Sequence, residues 1–153
     1  MELKIVDRPD VTVIGLQIRT TPMSPDIPAL WPRFVGRIPE IAHASEARVT
    51  YGVMQSVDGG TNPFDYLAAV AVSAPGPVPA GMTRLVLPAG RYAVFSYPLS
   101  GLGAGFCEIF ERLLPQSDFV QRPGPHFERY GEAFCPDEPD SPVEIYLPVA
   151  PKG

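Results

Sequence analysis

Proline sets the limits of this chain. It occurs 20 times in 153 residues, far above the ~5% of ordinary usage. Its ring fixes φ and it has no N–H to donate, so it is disfavoured in helix interiors and central strand positions. The chain must therefore be built from short elements separated by proline-rich joints. Hydrophobic residues make up 45%, enough for a sizeable core and too many for disorder. The expected organisation is one domain over residues 1–153, with repeated halves at about 1–75 and 82–150. The joint "APGPVPAG" (Ala74–Gly81) separates them.

Composition also excludes partners. The formal net charge is −5, and no basic cluster offers a footprint for phosphates, so direct nucleic-acid binding is not expected. No apolar run approaches the ~20 residues of a membrane span. The opening "MELKIVDRPD" lacks the basic region and apolar core of a signal peptide. No membrane partner is expected, and the expected location is the cytoplasm. Cys107 and Cys135 are too few for a disulfide scaffold. His43 and His126 have no metal-ligand spacing, and a single histidine is a weak signal for haem. Neither metal nor cofactor is expected.

Hydrophobic periodicity gives each half the order strand, helix, strand, strand. Val11–Thr21 alternates as a strand. "SPDIPALWPRFVGRI" opens as a helix, with Ser24 as cap, Pro25 at the first helical position and Asp26 at the positive end of the dipole. Pro32 predicts a kink or a shortened helix. Arg48–Ser56 and Phe64–Ser73 read as an antiparallel hairpin across "VDGGTNP". In the second half "MTRLVLPAGRYAVFSYP" gives a strand broken by "PAG" and then a second, short strand. "SGLGAGFCEIFERLLP" gives a helix with a Glu108–Arg112 pair, ended by Pro115. "HFERYGEAF" and "PVEIYLPV" close as a hairpin.

The last strand poses the functional question. In "VEIYLPV" the residues Val143, Ile145, Leu147 and Val149 form an apolar face, leaving Glu144 and Tyr146 on the other. Pattern alone assigns that face to solvent. An acid beside aromatics also suits a pocket for organic cations. Aromatic rings offer flat surface and ~0.5–2 kcal/mol of cation–π attraction, and the carboxylate selects charge. A second acid, Glu128, lies in "HFERYG". Arg129 points away from Glu128, and Arg122 or Arg112 is available to neutralise it. Tyr92 and Phe95 lie on opposite faces of one strand, so they cannot both serve one pocket.

The segments "LPAGRYAVFSYP", "LLPQSDF", "HFERYG" and "VEIYLPV", with "IPALWPRF", "YGVM" and "FDYLAAVAV" in the first half, together resemble the GyrI-like small-molecule-binding domain. That domain is also the effector-binding part of AraC-type and MerR-type multidrug regulators. The similarity runs from about Val11 to Val149 and includes stand-alone, integron-cassette versions. It implies an α+β fold of duplicated βαββ halves. These would form an antiparallel sheet with two main helices on one face and a ligand cleft between the halves. It further implies a buried acid in an aromatic cage for bulky lipophilic cations. Glu144, Tyr146, Glu128 and Tyr130 match the family's last two strands, Tyr51 and Tyr66 its first-half aromatics, and Trp31 its helix tryptophan. The family's histidine–glycine pair after "YAVF" is Tyr97–Pro98 here, and its tryptophan before the helix-ending proline is Leu113 or Leu114, so ligand identity is not inherited.

The expectation is a non-catalytic binding module for lipophilic, cationic organic compounds, with candidate ligand residues Glu144, Tyr146, Glu128, Tyr130, Trp31, Tyr51, Tyr66, Tyr92 and Phe95. The alternatives are a GyrI-like hydrolase of a reactive small molecule, with Glu144 or Glu128 as general base, and a protein-interaction role that modulates gyrase. No Ser-His-Asp or Cys-His arrangement supports nucleophilic catalysis. No helix-turn-helix is expected within these 153 residues beside this domain. A second copy, a separate DNA-binding protein or gyrase stays open as partner.

Overall fold

A computed structural model describes residues 4–21, 24–45, 48–56, 64–74, 76–132, 134–135 and 137–152. Among these, the chain forms β1 (Lys4–Arg8), β2 (Val11–Thr20), α1 (Asp26–Val35), β3 (Thr50–Ser56) and β4 (Phe64–Val72). After the proline joint come β5 (Thr83–Leu87), β6 (Gly90–Pro98), α2 (Leu102–Glu108), β7 (Phe119–Gln121), β8 (His126–Tyr130) and β9 (Pro142–Pro151). The antiparallel sheet runs β1-β6-β9-β8-β3-β4-β2-β5, with β7 also beside β9. The sheet divides into two four-strand runs, β5-β2-β4-β3 and β1-β6-β9-β8, which meet where β3 pairs β8.

Continuity of register curls this sheet. β1 pairs β6 from Lys4↔Val94 to Arg8↔Gly90, and β2 pairs β5 from Val11↔Leu87 to Gly15↔Thr83. Only Pro9–Asp10 and Pro88–Ala89 interrupt what is otherwise one antiparallel ladder. The opposite ends of the sheet are thus joined through the chain itself, and the strands curve into an α+β half-barrel. The prolines sit where they cost least: at strand ends (Pro98, Pro142, Pro151), and at Pro148, where β9 passes from β8 to β7 as its second neighbour.

Curling buries both faces. The inner face packs Val13, Tyr51, Val53, Leu67, Ala69, Leu87, Tyr92 and Phe127 into one core. On the outer face α1 lays Leu30 and Phe34 over Ile14, Tyr66, Ala68 and Val70. Alongside, Ile109 and Leu114 cover Ala93, Phe95, Tyr97, Ile145 and Leu147. Both main helices therefore lie on one face, as the resemblance implies.

Local details refine the sequence reading. The Ser24 hydroxyl accepts a hydrogen bond from Asp26 N at 3.1 Å, and α1 continues through Pro32 to Val35. The strand after "PAG" is nine residues long rather than short, because β6 pairs both β1 and β9. α2 widens into a π-helical turn over Ile109–Leu113, closed by Leu114 N donating to Ile109 O at 2.8 Å. The Arg112–Glu108 ion pair forms at 2.7 Å. The β3–β4 hairpin forms as expected; its connection, 57–63, lies outside the described residues.

One glycine is required by the curl. A Cβ on Gly15 would collide with the backbone carbonyl of Ala68, and that backbone cannot withdraw without opening the β2–β4 ladder. Gly15→Ala is expected to cost about 1–3 kcal/mol, as overpacking does. In a chain of this size that is a fall in thermal midpoint of ~2–4 °C per kcal/mol, measurable by circular dichroism.

Candidate functional site

Strand alternation sorts the candidate residues before any contact is considered. On β8, Phe127 and Arg129 face inward while His126, Glu128 and Tyr130 face the helices. On β9, Ile145 and Leu147 pack beneath the α2 region while Tyr146 joins the inner core. Glu128 and Glu144 therefore lie on opposite faces of the sheet and cannot line one pocket.

Glu128 sits at the seam where β8 pairs β3, directly across from Gly52. It is 7% exposed, and no ion pair reaches it among the described residues. Its Oε1 accepts the hydroxyl of Tyr66 at 3.2 Å and also that of Tyr130. Tyr66 in turn accepts the indole N–H of Trp31 at 3.2 Å. Trp31 closes this cluster from α1, edge-on to Tyr130 at 5.4 Å and to Tyr66 at 6.4 Å between ring centroids. Phe134 lies edge-on to the other side of Tyr130 at 4.8 Å. Oε2 makes no hydrogen bond to a described residue and keeps some contact with the surface.

Gly52 makes this arrangement fit. A Cβ there would overlap the Tyr66 hydroxyl and come within 2.8 Å of Glu128 Oε1. Beyond Glu128 on the same strand face, His126 meets Phe106 of α2 and Phe110 of the π-helical turn edge-on, at 6.2 and 6.3 Å. The outer face over the seam thus carries a carboxylate and two tyrosines near α1, and a histidine between two phenylalanines near α2.

Burial raises the Glu128 pKa above the usual carboxylate value, although the hydrogen bonds from Tyr130 and Tyr66 work against the shift. Burial and the adjoining carboxylate push both tyrosines well above their ordinary range, so they remain hydrogen-bond donors. Burial alone lowers His126 to about 4, leaving it neutral near pH 7.

The other candidates form different sets. Tyr51, Tyr92 and Tyr146 surround Phe127 on the inner face, where Tyr146 stacks on Phe127 at 4.8 Å with planes 8° apart. The Arg8 guanidinium lies 4.8 Å from the Tyr146 centroid and 5.4 Å from that of Phe127. Glu144 is paired with Arg129 at 3.4 Å and accepts the Tyr146 hydroxyl at 3.4 Å. Phe95 is buried beneath the α2 region, on the face opposite Tyr92. Arg112 and Arg122, which the sequence left free to neutralise Glu128, are engaged elsewhere. Arg112 pairs with Glu108, and Arg122 donates to the carbonyls of Val149 and Arg91.

A surface hollow of about 340 Å³ lies between α1 and the end of β2, lined by Ile18, Arg19, Asp26, Ala29, Leu30 and Arg33; Ile18 is paired with Tyr66 across the β2–β4 ladder, but none of Glu128, Tyr130 and Trp31 lines the hollow. It is shallow and flanked by the exposed Arg19–Asp65 ion pair, so the desolvated carboxylate is the stronger marker of function. No group of three or more metal-ligating side chains occurs among the described residues, and no described helix is long and apolar enough to cross a membrane.

The chain belongs to the GyrI-like small-molecule-binding domain family, whose pattern matches residues 1–150. It is 34% identical over 152 residues to the transcriptional regulator BrlR of Pseudomonas aeruginosa. That alignment covers 97% of this chain but only 56% of the regulator, so the chain spans little more than half of that relative's length. The fold is similar to that of SAV2435 bound to tetraphenylphosphonium, with a TM-score of 0.75, 17% identity and coverage of 98% of this chain and 94% of the other. It is also similar to an integron cassette protein from the mobile metagenome of Vibrio cholerae, with a TM-score of 0.68, 19% identity and coverage of 97% and 95%.

The raised Glu128 pKa makes a stability prediction of definite sign. The folded chain binds this proton more tightly than the unfolded chain. Stability therefore falls as pH rises from the ordinary carboxylate pKa through the raised folded value, and the loss is complete above it. Glu128→Gln removes that loss. Its thermal midpoint is expected to exceed that of the unliganded wild type at pH 7 and to approach it at pH 4, in parallel melts at the two pH values.

Proposed function

We propose that this chain is a receptor for lipophilic organic cations, with Glu128 as the charge-selecting group and Tyr66, Tyr130 and Trp31 as the aromatic surface around it. One observation carries the reading: a buried, ionisable carboxylate with no basic partner among the described residues, held by two tyrosine hydroxyls under a tryptophan. Left ionised and unpaired, such a group costs the folded state free energy. A ligand cation recovers part of that cost, and a neutral molecule of the same shape does not. The relatives support the same class of ligand, since SAV2435 is described with tetraphenylphosphonium bound.

Glu144 fits this role less well, because Arg129 already neutralises it at the side of the sheet away from Glu128. Similarity to BrlR supports a place as the ligand-sensing part of transcriptional control, with DNA contacts made by other protein segments. That reading assigns no chemistry to Glu128 beyond binding.

Titration calorimetry with tetraphenylphosphonium and a neutral tetraphenyl isostere tests the assignment. The cation is expected to bind wild type and the isostere not to. Glu128→Gln should weaken the cation more than tenfold (~1.4 kcal/mol), whereas Glu144→Gln should change it by less than about twofold, as expected for a partly exposed ion pair. Equal binding of cation and isostere, or a larger loss from Glu144→Gln, overturns it. A second variant probes the geometry: Gly52→Ala should weaken the cation about as much as Glu128→Gln, because its methyl group displaces Tyr66 from the carboxylate.

A further inference from the structure

We propose that His126 is the second recognition group of this site, exchanging a hydrogen bond with a polar group that the ligand carries a short, fixed distance from its positive charge. The inference rests on the Glu128 reading above and specifies the ligand class further: a cation bearing a hydroxyl, carbonyl or ring nitrogen, rather than a purely hydrocarbon one.

The geometry places the two groups together. His126 and Glu128 alternate on β8 and so project from the same outer face, with Cα atoms roughly 7 Å apart by strand rise. Glu128 is turned toward α1 by Tyr66 and Trp31. The imidazole instead sits between the edges of Phe106 and Phe110 on the α2 side. Opposite it on β3 is the partly buried Met54, a soft apolar neighbour. Phe110 remains 40% exposed, so aromatic surface is left open beside the histidine.

The imidazole is unspent. Neither ring nitrogen has a hydrogen-bond partner among the described residues, although the ring is largely enclosed and only partly exposed. The ring nitrogens are not among the buried, unpartnered side-chain atoms, so they keep contact with the surface, where a ligand group can reach them. Burial keeps this histidine neutral near pH 7. It thus offers one N–H donor and one acceptor without adding a positive charge that would repel a cation. If the ring only filled space between two phenylalanines, a third phenylalanine would serve as well.

The test uses tetraphenylphosphonium and its analogues with a meta- or para-hydroxyl on one ring, titrated against wild type, His126→Phe, His126→Gln and Glu128→Gln. Wild type is expected to prefer one hydroxylated cation about fivefold to tenfold, the scale of one net hydrogen bond. His126→Phe should abolish the preference while leaving tetraphenylphosphonium within about twofold, and His126→Gln should restore part of it. Glu128→Gln should weaken all three cations and leave the preference among them. In wild type, the imidazole 15N resonances should move on adding the preferred hydroxylated cation and stay in place with tetraphenylphosphonium. This readout needs no variant to fold.

An equal effect of His126→Phe on all three cations, no effect on any, or 15N resonances that do not distinguish them overturns the role of His126 while the Glu128 reading stands. Cation binding insensitive to Glu128→Gln overturns the Glu128 reading and this one with it.

Discussion

The pairing of β3 with β8 is the contact on which the rest of the molecule depends. It is where the runs β5-β2-β4-β3 and β1-β6-β9-β8 become one sheet, and it sets Glu128 opposite Gly52 in a register that leaves no Cβ between them. The near-continuous ladder of β1–β2 against β5–β6 then brings round the far ends of the sheet, so both of its faces carry buried cores. A charged residue buried there, as Glu128 is at 7% exposure, is largely withdrawn from bulk water. It must be paired, neutralised by a proton, or kept for a ligand. Arg129, one residue along β8, faces inward and takes the first solution with Glu144. Glu128, facing outward among tyrosines, is left with the other two.

The difference between the two carboxylates is one of environment. The Glu144–Arg129 pair is partly exposed, and a pair of that kind is worth only ~0–1 kcal/mol because water and salt screen it. At an effective dielectric near ~20, a unit charge ~4 Å from Glu128 would interact by ~4 kcal/mol before its own desolvation is subtracted. That surplus is available only to a ligand that brings its own hydrophobic surface. Such a ligand gives up little hydration on leaving water. Tyrosine hydroxyls, unlike an arginine, hold the Glu128 carboxylate in position without cancelling its charge.

Much of the fold was legible in the sequence, and the site was legible in part. Alternation along "VEIYLPV" and "HFERYG" placed the strands, and proline joints placed their ends. The spacing of Glu128 and Tyr130 put both on one strand face. Alternation does not say which face meets water once a sheet curls. That is why alternation does not separate Glu144 and Tyr146, on the inner face with Tyr51, Tyr92 and Phe127, from Glu128 on the outer one. Two signals were there to be used. Gly52 interrupts "TYGVMQS" in mid-strand, which marks close approach of another group. His126 shares the strand face of Glu128, a two-residue spacing that sets it beside the carboxylate without any metal or haem. The strand character of Lys4–Arg8 and the placement of Arg8 over two aromatic rings depend on a pairing 84 residues distant. No local pattern carries that pairing.

The most direct test of the central claim reads the charge on Glu128 itself. Carboxyl 13C resonances followed through a pH titration, with and without a saturating lipophilic cation, report its protonation in each state. The account predicts that Glu128 titrates above the ordinary carboxylate value in the free protein and that the cation shifts its titration to lower pH, with Glu144 unmoved. A Glu128 resonance that titrates alike with and without the bound cation would contradict it.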